Sequence, residues 1–151
     1  MATARRRSRI VWTVLLVLWI CVVWGHSLMS AEISAEESSR FVFLVRPFFA
    51  MCGITDEGFM THVIRKTAHF SEYAVLASIA IGCVRAWWGA TRTALYTVLA
   101  IWVCVPVVDE TIQGLSPGRA PRVTDVLIDM AGGLLGMLIA HAVLRRKRLR
   151  N

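Results

Sequence analysis

The sequence contains no CxxC pair, and its four cysteines (Cys21, Cys52, Cys83 and Cys104) are far apart. Three of them lie inside apolar runs, where cysteine behaves as a small hydrophobic residue, so zinc or dithiol redox chemistry is disfavoured. The nucleophile motifs GxSxG and CxxxxxR are missing as well, as are internal repeats and low-complexity segments. Nothing in the sequence therefore points to an activated serine or cysteine.

Charge is also scarce and unevenly placed. Charged residues make up 18% of the chain against 56% hydrophobic residues, and the mean hydropathy is +0.58. Long apolar runs alternate with short charged segments, which is typical of a small polytopic membrane protein. The net charge of +7 is concentrated in RRRSR at 5–9 and RRKRLR at 145–150. Because these clusters flank apolar runs, they indicate membrane topology, and no nucleic-acid partner is expected.

Four apolar stretches each approach the ~20 residues that a helix needs to cross a bilayer. They cover residues 10–27, 67–88, 93–112 and 124–144. The first carries three tryptophans and no clear cleavage site, so it is expected to be an anchor rather than a signal peptide. The prediction is an all-α integral membrane protein, one domain over residues 1–151. Both basic termini and the loop between Arg85 and Arg92 are predicted to be cytoplasmic.

The segment 28–66, between the first two spans, is predicted to lie outside the cytoplasm. Ser34 and Glu37 have the spacing of a capping box, and apolar residues at helical spacing follow over 41–49. This pattern favours an interfacial amphipathic helix that Pro47 bends or ends. A second start signal at 55–57 predicts a helix that continues into the second span.

Polar residues cluster at the predicted outer end of the second span. On a helix, Lys66, His69 and Tyr73 share one side, and Glu72 lies within reach of His69. A charge at this depth costs a few kcal/mol unless it faces the bundle interior or a water-filled cleft. These side chains therefore require partners from the other spans.

Such partners occur at the same depth. Asp109 and Gln113 share a face of the third span, with Glu110 beside them. The next loop presents Arg119 and Arg122, and the fourth span begins with two further acids, Asp125 and Asp129, one turn apart. The aspartates continue into a stripe of small residues, Gly132, Gly136 and Ala140, that permits close helix approach. The expected result is a polar pocket just inside the outer membrane surface.

The residues that form this pocket also carry a resemblance. The ordered segments RKTAHFSEYAVL, DETIQ, PGR and TDVLIDMAGGLLG, within about 60–140, resemble the VanZ-like family of small bacterial membrane proteins. The resemblance implies four membrane helices, a bacterial cell membrane and an association with low-level teicoplanin resistance. The family's characteristic positions correspond to Lys66, His69, Glu72, Tyr73, Asp109, Glu110, Gln113, Arg119, Asp125 and Gly132. Asp129 departs from the pattern, because the family often carries asparagine there.

A lipid head group is the favoured ligand of the pocket. Arginine and lysine bind phosphate, and a histidine beside a carboxylate is a possible general base. The expected partner is a membrane lipid or a lipid-linked envelope precursor, and no cofactor is indicated. The assigned catalytic group is His69, Glu72 and Asp109. The assigned ligand-binding residues are Lys66, Tyr73, Glu110, Gln113, Arg119, Arg122, Asp125 and Asp129.

Three other interpretations compete with this one. In the first, the polar cluster is a structural network that sets helix register, and the chain is an accessory protein with a membrane-protein partner. Alternatively, His69 and Glu72 bind a metal ion together with an aspartate, but Lys66 and Arg119 disfavour a divalent ion, so no metal is expected. An ion-coupled transporter is disfavoured because the inner half of the bundle is nearly all apolar. His26 and His62 are expected to be interfacial residues without special chemistry.

Overall fold

The computed structural model describes the backbone of residues 2–150 and the side chains of residues 2–146. The last four positions of the predicted basic tail, 147–150, therefore have no described side chains. Within these limits the regular structure is all α-helical, and the helices are α1 Ala2–Ser27, α2 Ala31–Ser39, α3 Val42–Met51, α4 Glu57–Trp88, α5 Arg92–Gly114 and α6 Val123–Arg150. α1, α4, α5 and α6 are long and apolar enough to cross a membrane. The predicted all-α architecture with four spans is confirmed.

The four long helices alternate in direction. α1 and α5 end where α4 and α6 begin, and this end of the bundle is called the polar end below. Ser27 at the end of α1 contacts Asp109 near the end of α5, whereas Arg9 near the start of α1 donates to the carbonyl of Ala86 at the far end of α4. α4 and α6 consequently run parallel to each other, so both present their first turns at the polar end.

α4 and α6 pack at very short distance because α6 has glycine where the backbones meet. A Cβ at Gly132 would overlap the carbonyl oxygen of Phe70, and one at Gly136 would overlap that of Ala74. Membrane helices gain little from hydrophobic association, so close van der Waals packing over small residues contributes much of their adhesion. The predicted role of the small-residue stripe is confirmed at both glycines.

Tryptophans attach the other two spans to this pair. The indole of Trp19 in α1 donates to the Glu72 carbonyl at 2.9 Å, and that of Trp102 in α5 donates to the Met130 carbonyl at 2.8 Å. The ring of Trp12 lies where a side chain at Gly82 would be. In lipid a buried N–H group needs a protein partner, so these bonds specify how each helix is rotated.

The segment 28–66 differs from its prediction. It contains two short helices, α2 and α3, where one was predicted. The prediction of a capping box at Ser34 was wrong, because α2 begins after Ser30, whose side chain accepts a hydrogen bond from the Ile33 amide at 3.4 Å. α2 ends at Ser39, whose hydroxyl donates to the Glu36 carbonyl at 2.7 Å. Pro47 lies inside α3 and does not end it. The second start signal is confirmed, because Asp56 caps α4.

Candidate functional site

The floor of the polar end is a buried hydrogen-bond network around Asp109. This carboxylate is 0% exposed; it accepts from the Ser27 hydroxyl at 2.5 Å and from the Gln113 amide at 3.0 Å. Ser116 in turn donates to the Ser27 carbonyl at 2.9 Å. Burial of a carboxylate is tolerated when donors of this kind surround it. The network joins the end of α1 to the end of α5.

The loop between α5 and α6 covers this floor. Gly118 has a φ of +74°, which favours glycine, and its Cα lies close to Ala31 at the start of α2. The Ala31 amide donates to the Pro117 carbonyl at 3.1 Å. At the other end of the loop, the Arg122 amide donates to the Glu110 carboxylate. Held at both ends, the loop places Arg119 against the first turns of α4.

A cavity of about 200 Å³ lies beneath the loop. Its lining contains the cations Arg65, Lys66, Arg119 and Arg122, the acids Asp125 and Asp129, and also Ala31, His62, His69, Gln113, Gly118 and Ala120. Lys66 and Asp125 form an ion pair that is largely shielded from solvent. The cavity wall therefore carries more positive than negative charge.

Three arginines account for that excess. Within the described side chains, Arg65, Arg119 and Arg122 form no ion pair, and the Nε of Arg119 is buried without a hydrogen-bond partner. Burial and the neighbouring Arg65 lower the pKa of Arg119. The ordinary pKa of an arginine side chain is so high that Arg119 nevertheless stays charged at neutral pH. The cavity consequently attracts an anion that can accept hydrogen bonds.

Deeper than the arginines, side chains from three helices converge. His69 in α4, Asp109 in α5 and Asp129 in α6 each have a side-chain nitrogen or oxygen atom within 4.8 Å of those of the other two. Asp129 is only 2% exposed. The Tyr73 hydroxyl lies beside Asp109 but makes no hydrogen bond of good geometry. The three residues His69, Asp109 and Asp129 are called the His–Asp cluster below.

The structure distributes the predicted site residues over several places. Lys66, His69, Gln113, Arg119, Arg122, Asp125 and Asp129 line the cavity. Tyr73 and Asp109 lie beneath it in the protein interior. Glu110 faces the loop rather than the cavity and accepts the Arg122 amide. Glu72, predicted to act with His69, instead receives a hydrogen bond or ion pair at 2.8 Å from His26.

Sequence reasoning missed several contributors. His26 was expected to have no special chemistry, yet it is the partner of Glu72. Ser27 was not predicted, and a lone serine at the end of an apolar helix offers no signal that it will meet Asp109. Arg65 was also missed, although its position four residues before His69 places both side chains on one helix face.

The family assignment rests on a comparison over most of the chain. The VanZ/LLP1 family model matches residues 12–145, a range that runs from within α1 to within α6 and includes every residue of the cavity lining. No curated protein and no solved structure gives a significant match. The matched range also includes α2 and α3, so the short helices belong to the shared domain. The chain is a member of the VanZ/LLP1 family of membrane proteins.

Proposed function

We propose that the cavity at the polar end binds the phosphorylated head group of a membrane lipid, either a phospholipid or a lipid-linked envelope precursor. The observation that carries this proposal is the set of arginines without ion pairs around a partly buried cavity. Arginine presents a planar fork of donors that matches phosphate oxygens in a bidentate manner. A half-buried cation such as Arg119, whose Nε atom is buried without a partner, is costly in a membrane protein, so an anionic ligand supplies a reason for its presence.

The surroundings of the cavity suit a ligand that is half in the bilayer. A second cavity of about 140 Å³ shares Arg65, His69 and Arg119 with the first, and its wall includes the apolar side chains of Met29, Phe41 and Ile64. α3, beside it, exposes large apolar residues such as Phe43 and Phe48. A lipid whose phosphate lies among the arginines has an apolar surface beside it for its chain.

The proposal is tested by lipid binding to the purified protein. Wild type, Arg119→Ala and Arg119→Lys are compared by native mass spectrometry, with phosphatidylglycerol, a polyprenyl diphosphate and diacylglycerol as separate probes. Loss of a charge-assisted bond costs about 1.5–3 kcal/mol, so affinity for a phosphorylated probe should fall roughly tenfold to a hundredfold in Arg119→Ala. The lysine variant should fall in between, because it retains charge but loses the fork.

The matched control is Arg40→Ala, which removes an exposed arginine paired with Glu36 on α2, away from the cavity. It should bind like wild type. Equal binding by Arg119→Ala and Arg40→Ala would contradict the proposal. Preference for phosphatidylglycerol or for the polyprenyl diphosphate identifies the class of lipid, and release of a dephosphorylated product would show that the lipid is also processed.

The physiological readout follows from the envelope setting. In a bacterial host, loss of head-group binding should lower tolerance to the glycopeptide teicoplanin, the phenotype that the family resemblance implies. Minimal inhibitory concentrations for cells carrying wild type, Arg119→Ala or Arg40→Ala test this. Arg40→Ala should behave like wild type, whereas Arg119→Ala should resemble cells lacking the gene.

A second candidate function is favoured by those polar groups of the polar end that already pair with one another. Lys66 with Asp125 and the Ser27–Asp109–Gln113 network need no ligand to explain them. A non-catalytic accessory protein that binds another membrane protein would use such a network only to set helix register. Under that alternative, Arg119→Ala lowers the melting temperature in parallel with function, whereas under head-group binding the melting temperature stays near that of wild type.

A further inference from the structure

We propose that His69, Asp109 and Asp129 bind a divalent metal ion of the zinc class beneath the head-group cavity. One donor atom from each lies within 4.8 Å of the others. Zn²⁺ holds nitrogen and oxygen ligands at about 2.0–2.2 Å, which separates tetrahedral ligands by roughly 3.5 Å. Small side-chain rotations therefore suffice to close the cluster around one ion.

The donor set matches that ion in chemistry and charge. Two carboxylates and a neutral imidazole offset the charge of a divalent cation, and an imidazole ligand favours zinc over magnesium or calcium. The sequence-based objection to a metal was the positive charge of the nearby Lys66 and Arg119. In the structure, Asp125 forms an ion pair with Lys66, so one of the two opposing charges is largely offset.

Unpartnered polar groups around the cluster are an independent observation in favour of a ligand. Tyr73 is only 2% exposed, and its hydroxyl lies beside Asp109 without a hydrogen bond of good geometry. The Nδ1 of His69 is likewise buried without a partner. No ion pair reaches Asp129 from any side chain in residues 2–146. Two such groups beside a buried aspartate that no ion pair neutralises are costly in a membrane interior unless something binds between them.

The arrangement around Asp109 resembles the support that metal ligands usually have. Its two oxygens accept from Ser27 and Gln113, which orient the carboxylate and leave lone pairs directed elsewhere. Three protein ligands leave one position of a tetrahedral ion open. His69 and Asp129 line the cavity, so the open position faces the space that Arg119 borders. A phosphate oxygen or a water molecule is the ligand that such a position takes.

The test measures metal binding in detergent without added lipid, so it does not depend on the head-group proposal. Protein stripped with a chelator is dialysed against Zn²⁺, Mn²⁺ or Mg²⁺ and its metal content determined, and Tm is recorded with and without each ion. Wild type should retain one Zn²⁺ per chain and little Mg²⁺. At about a hundredfold excess over Kd, Zn²⁺ should raise Tm by roughly 5 °C.

Asp129→Asn is the decisive variant, because the Asp129 side chain forms no ion pair in the described part of the chain and its replacement leaves no charge stranded. It should fold with a Tm no lower than that of metal-free wild type, yet bind Zn²⁺ at least tenfold more weakly. His69→Gln should lose binding in the same way. His141→Gln, which removes an exposed histidine farther along α6, is the control and should bind like wild type.

Two results would overturn the proposal. One is wild-type protein that retains no Zn²⁺ at micromolar concentration; the other is equal binding by wild type, Asp129→Asn and His69→Gln. A loss of Zn²⁺ binding in His141→Gln alone would place the ion on the surface and have the same consequence. Lipid binding without metal binding leaves the head-group proposal standing, and the reverse result removes that proposal alone.

Discussion

Replacement of Gly132 by alanine tests the close approach of α4 and α6. The added Cβ would overlap the Phe70 carbonyl oxygen, which belongs to the backbone and has no rotamer to change. The two helices must then separate by roughly 1 Å, and neighbouring contacts are lost with them. Overpacking of this kind costs about 1–3 kcal/mol. Alanine in place of glycine inside a helix recovers about 1 kcal/mol of intrinsic propensity.

Gly25→Ala is the matched control. It makes the same chemical change inside a membrane helix, but nothing lies within 4 Å of the added Cβ. It should therefore be neutral or stabilising by up to about 1 kcal/mol. The expected difference between the two variants is about 1–3 kcal/mol, equal to the packing penalty, because the propensity gain is common to both.

The free energy of unfolding is measured for both variants in bicelles by steric trapping or by titration with denaturing detergent. Gly136→Ala, which would overlap the Ala74 carbonyl, should behave like Gly132→Ala. Gly132→Ala should also weaken Zn²⁺ binding, since the separation moves Asp129 away from His69. If Gly132→Ala proves as stable as Gly25→Ala, the parallel α4–α6 contact described above is refuted.

Three further outcomes are expected. Lys66→Met and Asp125→Asn should each destabilise the protein by about 2 kcal/mol, whereas the double variant should recover part of the loss, as a double-mutant cycle by the same unfolding assay would show. Additive losses would mean that the pair is not formed. Ser27→Ala should cost about 1–2 kcal/mol because it removes a donor from the buried Asp109 carboxylate; an unchanged unfolding free energy would contradict this bond. If both termini are cytoplasmic, the exposed Cys52 should react with a membrane-impermeant maleimide in intact cells, and labelling only after permeabilisation would reverse the predicted orientation.

The four spans were predictable because each is specified by a local property. About 20 apolar residues have one stable structure in a bilayer, and the predicted spans lie within α1, α4, α5 and α6. The close helix contact at Gly132 and Gly136 was equally predictable, since small residues at helical spacing have few other uses in lipid. The break between α2 and α3 was not predictable, because no glycine or proline, the residues that most clearly mark a helix end, lies between Ser39 and Val42.

The site was predictable in outline but not in its pairings. Depth in the membrane and helix face placed Lys66, His69 and Asp129 at one end of the bundle. Which acid meets which base depends on helix rotation and tilt, and these depend on long-range contacts such as that between Trp19 and the Glu72 carbonyl. The sequence therefore predicted a link between Glu72 and His69, whereas the fold gives Glu72 to His26.

The division of the polar end among four helices has a consequence for biosynthesis. Lys66 is synthesised and presented for membrane insertion long before Asp125, its partner at the start of the last span, has left the ribosome. Until α6 is inserted, the interior-facing charge of Lys66 has to stay near the lipid head groups or in contact with the insertion machinery. A nascent chain that stops after α5 exposes an unpaired cation at membrane depth. α6 thus supplies the counter-charge that α4 lacks until both helices are in the membrane.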